Sequence, residues 1–341
     1  MNSVASFVRR GADKLAGHLC DQLNATHAVR AEVLRIPFSW EPVEELAEQI
    51  FLNCTLQLTN VDRVIALRFP AYIVPHPAKT IWLTGQCWRF DELSDPGKSN
   101  LRETSREDQL CKMISFAEAE AFSKCRRIFT ASKVTQERLR HCTGFDAEVL
   151  MPPLSNPELF ANRGDDGYLF AGGPINMNNR QHLIVEALAR TVSCARLIVA
   201  GAPDTREDAN RLRETVRRLR LEDRVVLDFG LHAVTKIADY VNHAKACAYM
   251  PIGEDLADYV TMEAAAASKP VIIGRDSGSI LELVVDEETG CVTEPDAEDI
   301  ARAIDFLVSD PDRSQGMGRA ARCLWDSFQA TWPATIERLL S

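Results

Sequence analysis

Apolar and polar positions along the chain keep changing period. Short apolar or β-branched runs alternate with stretches whose apolar residues return every three or four positions. That alternation predicts strand and helix in turn, and so a doubly wound α/β protein. In the first half, residues 11–24 put Leu15, Leu19, Cys20 and Leu23 on one helical face, and residues 43–58 form a second amphipathic helix. Strands are predicted at 32–36, 63–67, 80–83, 127–130 and 147–150, with helices over 107–124 and 134–141. The polar, aperiodic stretch 97–107 reads as a surface loop. The run Pro152-Pro153-Leu154-Ser155-Asn156-Pro157 can neither continue a helix nor pair as a central strand, so a hinge is placed there. A second sheet begins at 168–171 and continues at 195–200, 224–227, 246–250 and 270–274. Its helices are expected over 209–219, from about Asp258, over 297–308 and from about Ser314 onward.

Length and composition narrow this picture. A chain of 341 residues is long for one core, so two domains are expected, 1–152 and 153–318, with 319–341 as a terminal helix. With 46% hydrophobic and 26% charged residues the composition is that of an ordinary globular protein. A formal charge of −10 argues against generic nucleic-acid binding, which needs a concentrated basic face. Arg211, Arg213, Arg217, Arg218 and Arg220 are interleaved with acids, and the expected result is a solvated helix face. The ten cysteines show no CxxC and no metal-like spacing, and they are read as reduced, buried thiols. No apolar run reaches the ~18 residues of a membrane span, and the opening MNSVASFVRR has no apolar core. A cytoplasmic location is therefore expected.

The segment 244–295 carries the chemistry. Asp255-x7-Glu263 is followed by Ala264, Ala265, Ser268, Lys269, Pro270 and Val271, then by Asp276-Ser277-Gly278, Glu282-Leu283-Val284 and Thr289-Gly290. This ordered run resembles the E-x7-E and A-x-A-x-G-x-P-V signature of family 4 glycosyltransferases, retaining enzymes of the GT-B architecture. Further stretches are similar to the same family: 60–72, His76-Pro77 with Lys79 and Trp82-Leu83, and 172–183. The resemblance implies two Rossmann-like domains facing across a cleft, an acceptor-side domain first and a nucleotide-sugar domain second. A C-terminal helix would cross back to the first domain, anchored by Trp325, Phe328 and Trp332.

The resemblance also assigns roles. Asp255 and Glu263 are the catalytic candidates, holding sugar and ribose hydroxyls. Gly172, Gly173, Asn179, Arg180, Gly230, Leu231, Tyr259, Val260, Thr261 and Glu263 would bind the donor, and Arg10, Gly11 and Gln86 would lie on the acceptor side. Arg9 and Arg10 read first as a solvated helix start and only second as a phosphate contact. The donor is a nucleotide sugar acting as substrate, with no cofactor and no metal site. The acceptor would be a glycan, a lipid-linked sugar or a small molecule, in keeping with glycan biosynthesis. No nucleic acid is expected, while peripheral contact with the inner face of the membrane and a protein partner are left open.

Four positions depart from the family pattern. Gly85 stands where a close subset has His, Pro174 and Asn179 where an Arg and a Lys neutralise the diphosphate, and Asp258 where Gly is usual. A charge-assisted phosphate contact contributes about 1.5–3 kcal/mol, so two missing cations remove roughly 3–6 kcal/mol. The alternative reading is a catalytically degenerate homologue that serves as a scaffold or regulatory partner.

Overall fold

Val64–Ala66 (β1), Lys79–Leu83 (β2), Arg127–Thr130 (β3) and Glu148–Val149 (β4) pair in parallel, in that spatial order. The computed structural model describes residues 11–26, 28–39, 42–84, 105–253 and 259–341. Every residue of β2 is buried, as a parallel strand covered on both faces requires. The helices of this unit are Gly11–Ala25 (α1), Leu46–Thr55 (α2), Ser105–Lys124 (α3) and Lys133–Thr143 (α4). Ser132 caps α4 by accepting from the Thr135 N–H, and Gly144 closes it at φ 77. The Trp82 indole donates to the Leu150 carbonyl at 2.9 Å and so ties β2 to the end of the sheet. His76 is structural. Its Nδ1 accepts from the Ala78 N–H, which leaves the proton on Nε2 for the Val61 carbonyl 3.0 Å away.

Two expectations fail here. Residues 32–36 form no strand: Leu34 is 61% exposed, and a segment with no buried face has nothing to fix its register. The approach to them is held instead by Asn24, whose amide exchanges two hydrogen bonds with the Ala31 backbone. The terminal helix is also not one piece. Thr331 and Pro333 open a separate last helix, Trp332–Leu340, and only Thr331–Ser341 joins the first unit. There Trp332, Ile336 and Leu339 pack with Leu15, Leu19 and Leu23 of α1.

The division between the two units falls within the proline run, after Pro153. The second sheet is built from Tyr168–Ala171 (β5), Arg196–Gly201 (β6), Val225–Phe229 (β7), Ala246–Tyr249 (β8), Val271–Gly274 (β9) and Gly290–Thr293 (β10), all parallel. Its helices are Gln181–Leu188 (α5), Arg206–Arg218 (α6), Val234–His243 (α7), Val260–Ala266 (α8), Ala297–Ser309 (α9) and Pro311–Ser327 (α10), which makes the last helix α11. The spatial order is β10-β9-β8-β5-β6-β7. The chain winds outward from β5 to β7, then returns to the other flank of β5 for β8. Loops leaving β5 and β8 therefore diverge, and the β5/β8 boundary is the topological switch point of the sheet.

Helix α8 ends in three small side chains, Ala264, Ala265 and Ala266, all buried. It ends at Ser268, which adopts φ 56 while Lys269 N–H reaches back to the Ala264 carbonyl at 2.8 Å. This left-handed position suits glycine, and a side chain there costs about 1 kcal/mol. Ser268→Gly is expected to raise unfolding free energy by about 1 kcal/mol, read from urea melts; a loss of stability would show that the serine side chain contributes more than the strain costs.

Candidate functional site

Three glycines meet at the carboxyl edge of the second sheet. Gly173 follows β5 at φ 97, Gly201 ends β6, and Gly230 follows β7. The Gly230 N–H donates to the Gly201 carbonyl at 3.0 Å, and a Cβ on Gly201 would lie 1.9 Å from the Gly173 carbonyl oxygen. Three adjacent strands thus end in a floor of packed glycines beside the switch point, with the Tyr249 and Asn179 side chains close to Gly173. A Cβ on Gly173 would come within 3.6 Å of Val260, which places the start of α8 at the same edge. Gly172 is constrained more locally, since a Cβ there would press on the Phe170 ring at 2.8 Å.

The loop after β5 is tied internally. Asn179 is 4% exposed, and its side-chain amide donates to the Pro174 carbonyl at 2.7 Å, joined there by Gln181 Nε2 at 2.8 Å. Its own N–H is held by Asn176 Oδ1. Arg180, expected from the sequence to bind the donor, is engaged within the protein. Its guanidinium makes a two-pronged pair with Asp276 at 2.6 and 2.8 Å and donates to the carbonyls of Met250 and Pro251. Arg180 is a positioning residue that joins the loops after β5, β8 and β9.

On the other flank, Asp228 near the end of β7 secures the turn that carries Gly230 and Leu231. Its carboxylate accepts from the Tyr240 hydroxyl at 2.8 Å and pairs with Lys236 at 2.5 Å, while its carbonyl faces His232 Nε2 at 2.9 Å. Hydrogen bonds from Lys236 and then Tyr240 hold this carboxyl below the usual range. Leu231, 78% exposed, stands beside the floor as an apolar surface.

Along α8, Tyr259, Val260 and Thr261 are buried and Glu263 is half-buried. The Thr261 hydroxyl has no hydrogen-bond partner among the described residues. Gly11 is the first residue of α1 in the first unit. Asp255, Arg10 and Gln86 lie outside the described residues, as do Arg9, Gly85 and Asp258. Sequence reasoning gave no role to Gly201 or Asp228, whose signals are a glycine at a strand end and an acid before Phe229-Gly230. Among the described residues no three His, Cys, Asp or Glu side chains converge, and the nine described cysteines are unbridged. No helix among them is long and apolar enough to cross a membrane.

Residues 158–323 match the family model described as glycosyl transferases group 1. The chain is 28% identical over 193 residues to the alpha-maltose-1-phosphate synthase of Mycolicibacterium smegmatis, covering 52% of this chain and 49% of that protein. It thus spans about half the length of the curated relatives it matches. Among solved structures it resembles the sucrose-phosphate synthase of Thermosynechococcus elongatus, with TM-score 0.73, 17% identity, and coverage of 97% of this chain and 92% of that one. It also resembles Anabaena HepE in complex with UDP, with TM-score 0.71, 14% identity and coverage of 98% and 96%. These likenesses show the fold, which is GT-B.

Proposed function

We propose that this chain, whose residues 158–323 match the group 1 glycosyltransferase family model and which has the GT-B fold, transfers a sugar from a nucleotide-sugar donor with retention of anomeric configuration. The acceptor is a glycan, a lipid-linked sugar or a small hydroxyl compound. One observation carries this reading: the glycine floor of Gly173, Gly201 and Gly230 beside the switch point. A floor of that kind lets a nucleotide lie against backbone, which is what a phosphate or a base edge needs and a packed core does not.

On this reading each residue has a task. Backbone groups at Gly230 and Leu231 receive the base, and Leu231 covers its face. Amides at Val260 and Thr261 face the diphosphate, with Gly172 and Gly173 admitting it. Glu263 accepts hydrogen bonds from ribose, and Asp255 holds the sugar hydroxyls. Arg10, Gly11 and Gln86 serve the acceptor. The departing phosphate takes the acceptor's proton, so catalysis is positioning and electrostatics, with no metal assigned a role.

Calorimetric titration with UDP tests the reading, because UDP is the nucleotide seen with HepE. Binding is expected, and Glu263→Ala should weaken it by about tenfold or more, the loss of one or two charge-assisted hydrogen bonds. If no nucleoside diphosphate binds the folded native chain, the proposal fails.

A further inference from the structure

At the edge of the second sheet opposite the glycine floor, the segments leading into β5, β8 and β9 leave a cavity of about 260 Å3, closed by the first turn of α10. Asn162, Gly164, Asp165, Lys245, Lys269 and Ser314 line it. Its two lysines differ in their partners. Lys245 pairs with Asp165 at 2.6 Å, and the other Asp165 oxygen accepts from the Gly167 N–H. Lys269 is 3% exposed and donates only to neutral groups, Asn162 Oδ1 at 2.9 Å and the Gly164 carbonyl at 2.6 Å. Among the described residues no carboxylate forms an ion pair with it, and one of its three N–H donors remains unused. Ser314 is also 3% exposed, and its hydroxyl makes no hydrogen bond among the described residues.

A buried ammonium with no carboxylate in ion-pair contact is costly, and the Ser314 hydroxyl beside it offers the cavity an unused donor. Both features border one cavity, and an oxyanion there satisfies both. We propose that this cavity is an anion site that takes a small phosphate monoester, its phosphate between Lys269 and Ser314. Burial pushes the Lys269 ammonium down from its ordinary value, while the nearby Asp165 and Asp166 carboxylates oppose that shift. The helix end is not the source of affinity, because Asp310 already caps α10 at the Arg313 N–H. Side chains make the site. Its wall is also fixed in advance: a Cβ on Gly318 would lie 2.1 Å from the Ser268 carbonyl, so α10 rests directly on the turn that carries Lys269. The volume leaves room beside the phosphate for a short polyol stem. Helix α8, about 10 Å long for its seven residues, lies between this cavity and the glycine floor, so the two sites are separate.

The test is calorimetric titration of the full chain, in buffer free of oxyanions, with inorganic phosphate and with glycerol 3-phosphate. Both are expected to bind, the ester at least as tightly as the free ion. Lys269→Met should weaken binding by about tenfold or more and Ser314→Ala by about threefold. Ser314→Ala breaks no bond of the fold, so it decides the matter even if Lys269→Met does not fold. Affinity weaker than about 10 mM for both probes overturns the proposal. Unchanged binding by Ser314→Ala overturns it as well, by placing the ion elsewhere, and an ester that binds more weakly than free phosphate overturns the monoester assignment.

Discussion

Arg180→Met is expected to lower the unfolding free energy by about 3 kcal/mol and to abolish ordered donor binding in the same protein. Breaking a buried ion pair by removing one partner costs about 3–5 kcal/mol, and here the lower end applies because the Asp276 side chain is 43% exposed. The loss is wider than one pair. Met250 and Pro251 lose the donors that hold their carbonyls, although Pro251 keeps the Ser277 hydroxyl at 2.9 Å. Lysine cannot replace arginine here, since one ammonium cannot serve two carboxylate oxygens and two carbonyls at once. Arg180→Lys should therefore recover less than half of the lost stability. Urea unfolding followed by circular dichroism reads the effect, and a double cycle with Asp276→Asn reads the coupling. A loss below about 1 kcal/mol with normal UDP affinity would show that these loops hold their places without the arginine.

The same residue shows how far a sequence can be read. Strand periods placed β5 at residues 168–171 and located five of the second sheet's six strands but not β10, because buried parallel strands are short apolar runs bounded by turns. The segment 32–36 has the same alternation but buries neither face, and burial is a tertiary property that periodicity does not contain. Spacing likewise placed Arg180 near the donor loop and said nothing of Asp276, which lies 96 residues away and decides where the guanidinium goes. Asn179 is similar: its position was legible, whereas its bond to the Pro174 carbonyl depends on the path of the loop. Gly173 was named from the sequence and Gly201 was not, although one contact constrains both. Gly173 and Gly201 press together backbone to backbone, a constraint that leaves its trace directly in residue type.

Pro174→Arg combined with Asn179→Lys is expected to tighten UDP binding by two to four powers of ten, the equivalent of about 3–6 kcal/mol from two new charge-assisted contacts. The structure bears on whether the loop would survive. Asn179→Lys removes one hydrogen bond from the Pro174 carbonyl, but Gln181 Nε2 donates to the same oxygen at 2.8 Å and keeps it satisfied. The Asn176 side chain holds the backbone N–H of residue 179, a bond that does not depend on the side chain there. Both substitutions should contribute, because proline offers a diphosphate no donor and Asn179 already spends its amide within the loop. Paired measurements of UDP affinity and sugar transfer separate the two readings of the chain. Transfer that rises with affinity, from a native level above background, fits an enzyme that grips its donor weakly through backbone and hydroxyl contacts. Native transfer at background that appears only in the double variant would identify a chain that kept the GT-B fold and lost its chemistry. Native transfer that is already efficient and gains nothing from either substitution would show that another cation reaches the diphosphate.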